Sequence, residues 1–160
     1  MPKGPSITLR VGDHAPDFEA PASGGGTVSL SGLRGRHVVL YFYPKDDTPG
    51  CTTEACGFRD AHAALTRKGA VVLGVSPDPV KSHDRFVAKF SLPFALVSDP
   101  EHTIAEAYGV WGEKKFMGRT YQGVHRVTFL VGPDGRIAAI WPSVKPAEHP
   151  AEVLAALAVG

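Results

Sequence analysis

The stretch His37-Val38-Val39-Leu40-Tyr41-Phe42-Tyr43-Pro44-Lys45-Asp46-Asp47-Thr48-Pro49-Gly50-Cys51-Thr52-Thr53-Glu54-Ala55-Cys56 decides how the rest of the chain is read. Its first seven residues are apolar, β-branched and aromatic, so they predict a buried strand, and a helical pattern begins just after Thr-Pro-Gly. Thr48 suits an N-cap and Pro49 the first helical position. That places Cys51 in the first turn, among backbone N–H groups with no helical partner. Those donors and the positive end of the helix favour thiolate over thiol, and Cys51 reads as a nucleophile.

Working outward, residues 52–68 set Ala55, Phe58, Ala61 or His62, and Leu65 at helical spacing, and Gly69 follows as a stop. A buried strand is expected over 70–76, a helix over 80–90, a strand over 94–98 and a short helix over 103–108. Such alternation calls for crossover connections and a largely parallel α/β core. Residues 126–131 and 136–141, joined by Gly132-Pro-Asp-Gly135, read as an antiparallel hairpin, with a closing helix over 148–159. Upstream, Gly12-Asp13-His14-Ala15-Pro16-Asp17-Phe18 and the segment 23–30 read as extended pieces joined by a glycine turn, an N-terminal hairpin or cover.

A chain of 160 residues with 43% hydrophobic content suits one domain over 1–160 with a substantial core. The formal charge is +1 with both signs interspersed, which lacks the electropositive footprint of a nucleic-acid binder and favours a small substrate. The first ten residues lack the apolar core of a signal peptide, and no later apolar run is long enough to cross a bilayer, so the cytoplasm is the expected compartment, with no membrane partner. With only two cysteines in a reducing compartment, a transient catalytic disulfide is favoured over a permanent one.

Cys56 lies five residues after Cys51. On a regular helix that spacing separates the Cα atoms by roughly 8–9 Å, with directions about 140° apart. A disulfide needs Cα atoms within about 4.4–6.8 Å, so linking the pair requires the first turns to unwind. Two unrelated buried thiols are the plain alternative. A thiolate oxidised to sulfenic acid and then attacked by a second thiol after local unfolding accounts for both residues and their separation.

A series of motifs then resembles the peroxiredoxins of the bacterioferritin comigratory protein, or peroxiredoxin Q, subfamily. Gly12-Asp13-x-Ala15-Pro16-Asp17-Phe18 resembles the N-terminal signature, and Tyr41-Phe-Tyr-Pro44-Lys-Asp-x-Thr48-Pro-Gly-Cys51-Thr-x-Glu54-Ala55 the active-site signature. Tyr108-Gly-Val-Trp-Gly-Glu-Lys-Lys115, Gly118-Arg-Thr-Tyr-x-Gly123 and Arg126-x-Thr-Phe-Leu130 follow in order. The resemblance implies a thioredoxin-like fold, a central mixed sheet flanked by helices with the N-terminal hairpin as an extension.

It also implies roles. Cys51 becomes the peroxidatic cysteine that attacks hydrogen peroxide or an organic hydroperoxide. Thr48 aims its hydroxyl at the peroxide, Pro44 shapes and shields the pocket, and Arg126, on a neighbouring strand, brings a permanent charge near the thiolate. Cys56 becomes the resolving cysteine of an intrasubunit disulfide that a dithiol donor such as thioredoxin reduces. Other members carry the resolving cysteine on the next helix, where the region around Ser82-His83-Asp84 has none. No metal, haem or flavin is called for, and an intrasubunit disulfide removes the chemical need for a dimer, so a monomer is expected.

Taken alone, each of these residues has a plainer reading: Thr48 as a cap, Pro44 as a strand terminator, Arg126 as a solvated strand-end charge. Glu54 is given a structural or orienting role, since a carboxylate close to the sulfur opposes its ionisation. The seven histidines show no metal-binding spacing on one helix and read as surface or packing residues. His125, beside Arg126, is expected to point to the opposite face of the sheet. Trp111 and Phe116 could line the approach to the site but are left out of it. Two other functions stay in view: a general thiol–disulfide oxidoreductase, for which the usual Cys-x-x-Cys is missing, and a copper-binding metallochaperone using Cys51, Cys56 and one histidine.

Overall fold

The computed structural model describes residues 6–159. Its centre is the strand β3 (His37–Phe42), whose five residues after His37 are all buried. Burial on both sides explains the unbroken apolar run: Val38, Leu40 and Phe42 enter one core and Val39, Tyr41 and Tyr43 the other. The crossover helix α1 (Pro49–Arg67) returns the chain to β4 (Ala70–Ser76), which lies parallel to β3. A second crossover, α2 (Val80–Phe90), leads to β5 (Ala95–Ser98), parallel to β4.

Antiparallel strands extend this parallel centre on both sides. The N-terminal hairpin β1 (Glu19–Ala22) and β2 (Gly26–Ser29) joins beyond β5. Past β3 come β8 (Val127–Val131) and β9 (Ile137–Trp141), the hairpin expected from the glycine-bounded turn, with a register irregularity at Leu130/Val131. The sheet order is β2-β1-β5-β4-β3-β8-β9. Helices α1 and α4 (His149–Val159) pack on the face lined by Val39 and Tyr41, and α3 (Thr103–Ala107) contributes Ile104 and Ala105 to the other core.

Helix α1 begins at Pro49, the first helical position expected from the sequence, and its first helical bond runs from Thr52 N–H to the Thr48 carbonyl. Residues 111–124 form a separate two-stranded sheet, β6 (Trp111–Phe116) and β7 (Arg119–Val124), which was not foreseen. Residues 111–114 of β6 are half-buried and residues 119–122 of β7 exposed, so neither strand shows the apolar alternation that marks a sheet with one buried face.

Candidate active site

The 43–48 loop leaves the carboxyl end of β3 and delivers Cys51 to the first turn of α1, where it is 1% exposed. Thr48 occupies the N-cap position with extended backbone, and Pro49 stands at the helix start. The Thr48 hydroxyl makes no cap bond: it donates to the Lys45 carbonyl at 2.9 Å and closes the loop on itself. Pro44 is the second residue after β3 and is half-buried.

Arg126 arrives from across the sheet. It precedes β8 rather than standing in it, and its guanidinium is directed at α1. Nη2 donates to Cys51 Sγ at 3.3 Å, and Nη1 donates to Glu54 Oε1 at 2.7 Å. Gly50 makes room for this approach, since a Cβ there would stand 3.1 Å from Arg126 Nη2. The structure thus brings together Cys51 and Arg126, which lie 75 positions apart, and adds Glu54 as the second partner of the same cation.

Glu54 is fully buried, and its Oε2 has no hydrogen-bond partner. Burial pushes its carboxyl up to about 7, and the charge and hydrogen bond of Arg126 offset only part of that. For Arg126 burial works toward neutrality, but Cys51 and Glu54 outweigh it and hold the guanidinium above its ordinary range. A second cation lies nearby on β6: Lys114 donates to the Val124 carbonyl at 2.8 Å. Burial and the Arg126 charge draw Lys114 down, against the pull of Cys51. Sequence reasoning quoted the Glu-Lys-Lys motif that contains Lys114 without assigning it a place at the site.

Cys56 sits on α1, half-buried, and both cysteines are free thiols. A continuous helix through both keeps them at the separation that spacing implies, beyond disulfide range. His125 lies between β7 and β8, and its ring Nε2 meets the Glu113 carbonyl at 3.0 Å. Trp111 stacks on His102 with ring centroids 3.7 Å apart, and Phe116 is 65% exposed at the tip of the β6–β7 hairpin.

A sulfur that accepts an N–H from a permanent cation, in a helix start closed by a threonine, is equipped to attack an electrophile and to share the charge that develops on the leaving atom. Residues 11–140 match the family model described as AhpC/TSA family. The chain belongs to that family, within the peroxiredoxins of the bacterioferritin comigratory protein type. It is 50% identical over 151 residues to a Coxiella burnetii protein called putative peroxiredoxin bcp, covering 94% of this chain and 100% of that one. It is 49% identical to peroxiredoxin Bcp of Bacillus subtilis, covering 94% of this chain and 96% of the other. Among solved structures, the bacterioferritin comigratory protein of Xanthomonas campestris, trapped in intermediate and ligand complexes that address its alkyl peroxide reduction, superposes with a TM-score of 0.87 at 41% identity, covering 96% and 98% of the two chains. The mixed sheet with flanking helices is accordingly the thioredoxin-like arrangement of this peroxiredoxin family.

Proposed function

We propose that this chain, a thiol peroxidase of the peroxiredoxin family, reduces hydrogen peroxide and organic hydroperoxides through Cys51. The observation that carries the assignment is the single guanidinium of Arg126 held between Cys51 Sγ and Glu54 Oε1. In the first step the Cys51 sulfur attacks the terminal oxygen of the peroxide. A sulfur–oxygen bond forms, the O–O bond breaks, and the departing alkoxide or hydroxide takes up a proton, leaving Cys51 as sulfenic acid and the substrate as alcohol or water. The Arg126 cation stands where negative charge spreads during this exchange, and Thr48, with Pro44 beside the loop, orients the peroxide once the hydroxyl turns from the Lys45 carbonyl.

In the second step the Cys56 sulfur attacks the Cys51 sulfenic sulfur. An S–S bond forms, and the hydroxyl leaves as water with the thiol proton. A dithiol reductant, thioredoxin or a similar protein, then returns both thiols by exchange, so peroxide and reductant react alternately. The whole cycle runs within one domain and one subunit, as a monomer in the cytoplasm. No helix among the described residues is long and apolar enough to cross a membrane. Family membership favours this reading over a general thiol–disulfide oxidoreductase or a copper chaperone.

Intact-mass spectrometry of the reduced protein after one equivalent of hydrogen peroxide, with peptide mapping, tests both steps. Rapid loss of two hydrogens in a monomer, mapped to a Cys51–Cys56 linkage, is the expected result. An unchanged mass would overturn the peroxidase reading, and a linkage between two chains would overturn the intrasubunit step.

A further inference from the structure

A buried polar network ties the 43–48 loop to α2 and β5. Asp46 is 7% exposed, and its carboxylate accepts three hydrogen bonds: from Tyr43 Oη at 2.6 Å, from Ser82 Oγ at 2.7 Å and from His83 Nδ1 at 2.7 Å. The Asp46 N–H donates to Asp78 Oδ2 at 2.8 Å, an oxygen that also takes the Ser76 hydroxyl at 2.7 Å. His83, in the first turn of α2, is 0% exposed, and its Nε2 faces the Val97 carbonyl of β5 at 3.0 Å.

Both nitrogens of the His83 ring therefore meet acceptors. A carbonyl can only accept, so Nε2 carries a hydrogen. Nδ1 faces a carboxylate oxygen that already accepts from Ser82. Burial alone would raise the Asp46 carboxyl, but the hydrogen bonds from His83, Tyr43 and Ser82 hold it below the ordinary range. The 2.7 Å contact between Nδ1 and Asp46 shares a proton, so both ring nitrogens and both carboxylate oxygens are engaged. The ligand atoms of Asp46, Asp78 and His83 lie within 4.8 Å of one another, but hydrogen bonds already occupy the directions a metal ion would need.

The position of this pair matters because of what the loop carries. Asp47, the next residue, has a left-handed backbone with φ of 56°, and its side chain forms an exposed pair with Lys89 at 2.8 Å. An exposed pair of that kind holds little. Thr48 and the start of α1 come next, so the fixed point that sets their position is Asp46.

We propose that His83 is a positioning residue for Cys51: held between Asp46 and Val97, it pins the 43–48 loop to α2 and β5 and so maintains the closed, peroxide-reactive form of the site. The proposal rests on the peroxidase reading of Cys51. Its distinctive consequence is a split between the two chemical steps. Attack on peroxide needs the loop and first turn in place, whereas disulfide formation needs that turn to unwind. Loosening the pin slows the first step and leaves the second unchanged or faster.

The test is stopped-flow measurement of Cys51 oxidation and of the following disulfide step in reduced wild-type protein, His83→Leu and His83→Asn. His83→Leu should oxidise at least tenfold more slowly with no slowing of the disulfide step, and His83→Asn, whose amide can still donate to Asp46, should recover part of the loss. Oxidation of His83→Leu at the wild-type rate, or equal slowing of both steps without recovery in His83→Asn, overturns the proposal. Should the His83 variants fail to fold, Ser82→Ala removes one donor to Asp46 and keeps the ring; it should show a smaller loss confined to the first step, and an unchanged rate counts against the pin. A wild-type protein inert to peroxide would overturn the peroxidase reading instead, a distinguishable result, because failure of the pin appears only in variant rates relative to wild type.

Discussion

Glu54 Oε1 lies 2.7 Å from Arg126 Nη1, and the same guanidinium gives its other terminal nitrogen to Cys51 at 3.3 Å. One cation thus serves two groups that are anionic when ionised, inside a space that penalises every charge. With the carboxyl at about 7, Glu54 is largely protonated below neutrality, and Arg126 is then left to the sulfur; above neutrality the carboxylate competes for it.

The pH dependence of stability follows with a definite sign. The folded-state value for Glu54 stands above the ordinary 4.5, so folding is favoured by the bound proton at low pH, and that advantage is lost as pH rises from about 4.5 through about 7. The loss is on the order of 3 kcal/mol at one pKa unit per 1.36 kcal/mol. Glu54→Gln, neutral and of the same shape, should therefore gain stability relative to wild type between pH 5 and pH 8. Urea unfolding of both reduced proteins at the two pH values measures this; a gap that stays constant would mean that Glu54 is ionised throughout.

Arg126 should be the most sensitive of the polar residues at the site to truncation. Arg126→Met removes the N–H aimed at Cys51 and strands Glu54 without its cation, a loss that typically costs about 100-fold or more in rate for a donor placed on developing charge. Arg126→Lys keeps the charge but offers no planar fork to span sulfur and carboxylate together, so it should recover only part. Second-order rate constants for Cys51 oxidation by peroxide measure both, and equal rates in Lys and wild type would show that charge alone suffices.

Much of this site was legible because local signals agreed. The apolar run of β3, the Thr-Pro-Gly start of α1 and the position of Cys51 all follow from residues close in sequence, and the two-sided burial of β3 left no competing pattern. Arg126 was named through its motif rather than through chemistry, since its contact with Cys51 spans 75 positions and nothing local announces it. His83 was read with the surface or packing histidines, yet it is fully buried as the partner of Asp46. A polar pair 37 positions apart leaves no hydrophobic trace, and His149, which bonds Thr128 Oγ1 at 2.8 Å, was hidden for the same reason. Thr48 was expected to cap the helix with its hydroxyl; the hydroxyl donates to the Lys45 carbonyl and accepts no cap bond.

Helices α1 and α4 meet where Gly57 faces Pro150, and a Cβ at Gly57 would stand 2.8 Å from the proline Cγ. Alanine gains about 1 kcal/mol over glycine inside a helix, but overpacking a rigid contact costs about 1–3 kcal/mol. The second term should win because a proline ring on a packed helix cannot swing aside. Gly57→Ala is thus expected to lower the melting temperature, and a rise instead would show that α4 yields at this point.

The last prediction concerns the oxidised protein. Cys51 and Cys56 share one continuous helix in the reduced state, with Cα atoms roughly 8–9 Å apart by helical geometry, so a disulfide between them must break the hydrogen bonds of the first two turns of α1. Those turns also carry Ala55, packed in the core with Tyr41 and Phe58, and Gly57 beneath Pro150. Their release therefore loosens the start of α4 as well. Hydrogen exchange followed by mass spectrometry should show amides of residues 50–57 and 149–153 losing protection on oxidation by at least tenfold, while β3, β4 and the end of α1 hold theirs. Unchanged protection over 50–57 in a protein whose Cys51–Cys56 linkage has been mapped would mean that the bridge forms without unwinding, against the geometry of the helix.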